Sequence, residues 1–167
     1  LQWGGDLCVA REVYAGADGQ LLFRPAPEII AAFSNRIAEQ QAPALNTPIT
    51  VPDNYMMEMS VQLSKDAELS IVFREQAEAN SGYRIVLRPG KQEAAFIGKT
   101  FDYARPVVLD TSKPVRFRAF VQGSIIECFI NDAYAFTCRA YNFRSGALAF
   151  RAKTGDAAVK SVQVYSP

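Results

Sequence analysis

The chain has 167 residues, 49% of them hydrophobic and 21% charged, which suits one globular domain and is too apolar for disorder. Its 18 basic and 17 acidic residues leave a net charge of +1, with no basic stripe interleaved with aromatics, so no nucleic-acid partner is expected. Histidine is absent, which removes Ser-His-Asp triads, Cys-His pairs and the commonest zinc sites together.

Residues 7–14 and 20–27 read as two short extended segments around an Ala17-Asp18-Gly19 turn. Pro27-Glu28 then opens a helix in which Ile29, Phe33 and Ile37 recur every four residues, with Ile30 beside them, and Pro43 is expected to end it. The stripe reads as a face docked onto the rest of the domain. Residues 46–54 contain Pro48 and Pro52 and read as an extended linker. Residues 1–54 are therefore expected to form a junction and linker segment with one short helix, and residues 55–167 the core of one structural domain.

From Tyr55 the period changes to two. Met57, Met59, Val61 and Leu63 alternate with Met56, Glu58, Ser60 and Gln62, the pattern of a half-buried strand. Further strands are expected over residues 69–74, 83–87, 93–97, 115–121, 125–130, 135–139, 146–152 and 159–165. Turn-like stretches such as Lys65-Asp66, Asn80-Ser81-Gly82, Pro89-Gly90 and Thr154-Gly155-Asp156 separate most of them. Many short strands with little helix predict an all-β, antiparallel β-sandwich. The apolar runs are short and broken by charge, too short for a membrane-spanning helix, and no membrane partner is expected. The chain opens at Leu1 without an initiator Met or a signal-peptide pattern, and reads as part of something longer.

Residues 123–141 form the clearest hairpin, with two β-rich arms about an Asn131-Asp132 turn. If residues 132–134 make its loop, Cys128 and Cys138 face each other and a cross-strand disulfide is open to them. A slip of one residue removes that pairing and leaves two small buried apolar residues. The third cysteine, Cys8, makes the count odd. No C-x-x-C spacing and no D-x-D-x-D loop stands out, so neither a metal nor a cofactor is expected.

Three segments carry a family resemblance. Trp3-Gly4-Gly5 and Val9-Ala10-Arg11-Glu12-Val13 resemble a W-x-G…P-R-E-L segment, with Ala10 where proline is usual. Asp18-Gly19-Gln20-Leu21 and Arg24-Pro25-Ala26-Pro27-Glu28 resemble a D-G-x-L…x-P-x-x-E connector. Residues 124–132, SIIECFIND, are similar to S-x-I-E-V-F-V-N-D/G, with Thr137, Arg139 and Tyr141 at T-x-R-x-Y and residues 146–150 following in order. Residues 55–122 match in strand pattern more than in residues. Together these resemble the C-terminal β-sandwich module of glycoside hydrolase family 32, the invertase, inulinase and levanase relatives.

The resemblance implies a concanavalin-like jelly roll that follows a catalytic propeller, with the propeller as partner and fructan or a related glycan as the parent's substrate. It implies an accessory, non-catalytic chain within a glycosidase, in an extracytoplasmic setting, with carbohydrate contact and a homodimer as further partner readings. The family's W-M-N-D-P-N and R-D-P segments have no counterpart here. Glu127-Cys128 spells its E-C pair, but within the hairpin run that matches the sandwich. A retaining glycosidase needs two carboxylates about 5 Å apart across the scissile bond. An extended strand holds Glu127 and Asp132 farther apart than that, so no catalytic residue is assigned.

A sugar site needs an aromatic platform and a few planar hydrogen-bonding groups. Glu58 and Gln62 on one strand face, with Arg74, Arg84 and Arg118 on strands that would neighbour it and Tyr83 near a strand end, form the candidate substrate-contact set. The plainer reading is that the charges solvate an outer sheet and the tyrosine packs. Trp3 reads either as a stacking platform or as packing at the junction with a preceding domain. A stand-alone lectin-like module is the alternative to an accessory one.

Overall fold

The computed structural model describes residues 7–78 and 81–167; the Trp3-Gly4-Gly5 segment and Asn80 lie outside the described residues. In chain order, β1 (Arg11–Ala15) and β2 (Leu21–Pro25) pair as an antiparallel hairpin. A short helix α1 (Pro27–Ala31) leads to β3 (Asn35–Gln41), β4 (Tyr55–Leu63), β5 (Glu68–Glu75) and β6 (Tyr83–Arg88). Then come β7 (Glu93–Ile97), β8 (Asp102–Pro106), β9 (Val115–Gln122), β10 (Ile125–Ile130), β11 (Tyr134–Arg139), β12 (Ala147–Thr154) and β13 (Ala157–Ser166).

Two antiparallel sheets stack into the expected sandwich. One has the order β11-β10-β9-β4-β13-β3 and the other β12-β5-β6-β7-β8. Because side chains alternate across a strand, Met57, Met59, Val61 and Leu63 point inward, as do Phe117 on β9 and Ile126 on β10. They meet Ile71, Phe73, Ile85, Leu87, Phe96 and Phe150 from the other sheet in one continuous core. Each such fully buried side chain contributes about 1.5–3 kcal/mol of transfer free energy, which drives the sheets together.

Two elements depart from the expectation. The helix ends at Ala31 instead of reaching Pro43, and residues 35–41 form β3 at the sheet edge. There Ala38 lies opposite Val164 of β13 and packs on the core, while Ile37 is 43% exposed. The open edge of β13 offers a full ladder of backbone hydrogen bonds, which outweighs a helix whose third stripe residue would find no partner. The stripe's first part does dock: Phe33 is buried, with Ile29 and Ile30 packed beside it. The second departure is β8, an edge strand that carries Pro106 and reads poorly as a strand because proline cannot donate to a ladder.

The 125–139 hairpin forms, but its loop is Asn131-Asp132-Ala133, with Ile130 opposite Tyr134. Asn131 and Asp132 both take left-handed backbone (φ 54° and 51°), which short polar side chains tolerate. The loop therefore starts one residue earlier than the disulfide requires, which offsets the cross-strand pairing by two residues. Cys128 faces Phe136 and Cys138 faces Ile126, so both thiols are free and buried. The cross-strand disulfide is not formed. Burial pushes the Cys138 thiol up to about 12 and raises that of Cys128 as well.

Candidate functional site

The outer face of the six-stranded sheet is half covered. The β1–β2 hairpin and α1 lie over Met56, Phe120, Phe129 and Ala135, making a second apolar cluster with Phe33, Val9 and Phe23. Glu127, on the same outer face, is fully buried there. It accepts hydrogen bonds from the Arg11 guanidinium (Nε at 2.6 Å) and from the Val9 backbone N–H (2.9 Å). Arg11 also donates to Thr137 Oγ1 at 2.6 Å and lies over the Phe129 ring at 5.7 Å. A charge taken out of water needs such saturation, and Glu127 serves as the buckle that holds the hairpin down.

Beyond the hairpin the face stays open as a groove of about 230 Å³, lined by Glu58, Ser60, Arg116, Arg118, Asp132 and Gln163. Strand alternation puts them there. Arg116 and Arg118 are the outward positions of β9, Glu58 is cross-strand from Arg118, and Asp132 projects from the hairpin loop. Arg118 grips Glu58 with Nε and Nη2 (2.7 and 2.6 Å) and reaches Asp132 with Nη1 at 3.2 Å; Arg116 pairs with Asp132 as well. Tyr14 of the hairpin donates to the Asp132 carbonyl at 2.5 Å and steadies the turn. Guanidinium and carboxylate groups alternate along the groove as donors and acceptors engaged with one another. An acid/base pair needs two carboxyls on opposite sides of one bond, whereas these two converge on a single guanidinium.

Of the six sequence-derived candidates, the structure brings together Glu58 and Arg118 in the groove and, separately, Arg74 and Tyr83 at the far end of the sandwich. Gln62 lies farther along β4 and donates to the Thr111 carbonyl at 2.6 Å. Arg84 is on the outer face of the other sheet, in a charged trough of about 460 Å³ with Glu68, Arg88, Asp102 and Arg151. Arg74 and Tyr83 point into the far end of the sandwich. Arg74 is 2% exposed, has a left-handed φ of 54°, and donates to the carbonyls of Phe143 (3.0 Å) and Gly123 (2.5 Å). Burial lowers its guanidinium from the ordinary value. The Tyr83 hydroxyl accepts from the backbone N–H groups of Asn142 (2.7 Å) and Phe143 (3.3 Å). Both side chains pin the loop between β11 and β12.

The sequence reading missed Asp132 as a groove residue, weighing it as a turn residue and as a too-distant partner for Glu127, and it missed Gln163. For both the usable signal was register: a three-residue loop starting at Asn131 sets Asp132 beside the outward arginines of β9, and the β13–β4 pairing sets Gln163 opposite Glu58. Among the described residues no group of three or more His, Cys, Asp or Glu is placed to hold a metal ion, and no helix is long and apolar enough to cross a membrane.

A family model described as "Glycosyl hydrolases family 32 C terminal" matches residues 30–166. No curated protein matches the chain. Among solved structures, fructan 1-exohydrolase IIa from Cichorium intybus superposes with a TM-score of 0.67 at 14% identity, over 93% of this chain and 40% of that one. Exo-inulinase from Aspergillus awamori gives 0.69 at 13% identity, over 93% of this chain and 34% of that one. Galectin LEC-6 from Caenorhabditis elegans gives 0.60 at 16% identity, over 75% of this chain and 94% of that one. At these identities the likeness is one of fold, and the chain spans well under half the length of the two hydrolases it resembles.

Proposed function

The chain belongs to the glycosyl hydrolase family 32 C-terminal domains, and we propose from that premise that it is the accessory β-sandwich of a glycosidase acting on fructan or a related glycan. In this reading a preceding propeller performs the hydrolysis. The sandwich braces it and contacts the glycan along the outer-face groove, with Glu58 and Arg118 as the central pair. The observation that carries the non-catalytic part is the state of the acids. Glu58 and Asp132 are both bound by Arg118, and Glu127 lies beneath the hairpin with Arg11 upon it. None of the three faces a space in which a glycosidic bond would lie between two carboxyls.

The test is to assay the purified chain on sucrose, inulin-type and levan-type substrates. No release of reducing sugar above the blank is expected. Sustained turnover that disappears in Glu58→Gln or Glu127→Gln would overturn the reading. A stand-alone lectin-like module is the second reading, favoured by the groove being complete within this one chain. Tight glycan retention by the chain without any propeller, measured by affinity electrophoresis, would favour it over a bracing role.

A further inference from the structure

We propose that the far end of the sandwich, around Tyr141, is a second saccharide-binding site, separate from the outer-face groove. A cavity of about 530 Å³ opens there, lined by Asp53, Asn54, Arg74, Arg139, Tyr141 and Arg144. Its volume lies within the range of small-ligand pockets, and three independent features of its lining point to a sugar ring.

The first is the platform. Tyr141 is 64% exposed, yet it is held in place: the Arg139 guanidinium lies 4.7 Å from the ring centroid. A large aromatic left outside the core forgoes the free energy of burial, and one braced on a cation keeps a fixed, flat apolar surface turned to water. The C–H face of a furanose or pyranose ring is the complement of such a surface.

The second is a set of polar groups with bonding capacity to spare. Asn54 commits its Oδ1 to the Gly123 N–H at 2.8 Å, which leaves its amide nitrogen to donate. Asp53 and Arg144 line the same cavity and make no side-chain hydrogen bond or ion pair with the described residues, so an acceptor and a fan of donors share the lining with the platform. The outer-face groove is different in kind, because its carboxylates are already satisfied by arginine.

The third is the frame. Arg74 makes no ion pair with a described residue, although the Asp53 carboxylate acts on it through space; it holds the Gly123 turn and the loop after β11 through their carbonyls, and its buried Nε has no partner among the described residues. It sits at a register shift where Glu75 pairs with Ala147 but Val72 with Ala149, and its left-handed backbone is strained for a non-glycine residue. Gly146 is required beside it, since a Cβ there would lie 2.5 Å from the Arg74 carbonyl carbon. Strain and an incompletely bonded cation are retained where they tie both walls of the cavity to one rigid strand, which is how a binding site is pre-organised.

The choice of ligand, a neutral β-fructan oligosaccharide, rests on the function proposed above; the site itself rests on the cavity. The experiment titrates the ¹⁵N-labelled chain with inulin-type oligosaccharides and follows backbone shifts in the wild type, Tyr141→Ala and Tyr141→Phe. Expected are saturable shifts centred on residues 53–54 and 139–146, binding at least about tenfold weaker in Tyr141→Ala, and binding retained in Tyr141→Phe. Three results would each overturn the proposal: no saturable binding, unchanged affinity in Tyr141→Ala, or shifts centred on Glu58 and Arg118. The last of these would leave the groove reading standing while this one fell.

Discussion

A thiol buried between two sheets is a sensitive reporter of packing. Cys128 and Cys138 point into the core and are 0% and 7% exposed, whereas Cys8 is exposed on the segment leading to β1. Water cannot reach the inner thiols to solvate a thiolate, so burial raises both, Cys138 from near 9 to about 12. The unfolded chain then gives up these protons first. Stability from this source is complete below about pH 9 and is lost progressively as the pH rises toward about 12. The expected outcome is one thiol reacting with Ellman's reagent in the native protein and three in denaturant, with a urea midpoint that falls between pH 8 and pH 10. Two fast-reacting thiols in the native protein would contradict the hairpin register.

The elements show what local pattern can and cannot reveal. β4 was legible because its alternation, Met57 to Leu63 inward and Glu58 to Gln62 outward, is a property of one strand alone. β3 was not, because Ile29, Phe33 and Ile37 share a helical spacing and the competing partner, β13, is far off in sequence. For the same reason the outward charges of β4 and β9 could be read, but not their pairing. Arg74, read as a candidate sugar contact or an outer-sheet charge, lies instead at a bulge that turns it inward. The β1–β2 hairpin is a sharper case, since it lies outside the 30–166 family match yet covers Phe120 and Phe129 and buries Glu127. Removing Arg11 would leave a fully buried carboxylate with, among the described residues, only the Val9 N–H as a donor. Arg11→Ala should therefore cost about 3 kcal/mol in urea denaturation, the scale for stripping one partner from a buried pair. A change below about 0.5 kcal/mol would mean that the hairpin is a passenger.

At the scale of the whole molecule, topology decides whether such damage stays local. β13, the last strand, lies between β4 and β3, and β4 in turn pairs with β9, so the chain's late and early segments share one sheet. The other sheet has no separate core: Ile71, Phe73, Leu87 and Phe96 pack against the first sheet's Met57, Val61 and Phe117 in one cluster. The hairpin is bound to β10 and β11 through Glu127, Thr137 and the Asp132 carbonyl. No group of strands can leave without baring apolar surface on the rest, which is the condition for all-or-none unfolding even at this length. Such long-range pairing also makes for slow folding, on the order of milliseconds to seconds. Far-UV circular dichroism, tyrosine fluorescence and the exposure of Cys138 should then report coincident urea midpoints. An earlier transition in tyrosine fluorescence that disappears in Tyr14→Phe would show that the hairpin and its Tyr14 anchor separate first. The sandwich would then be a mobile attachment, and the bracing role proposed for it would lose its mechanical basis.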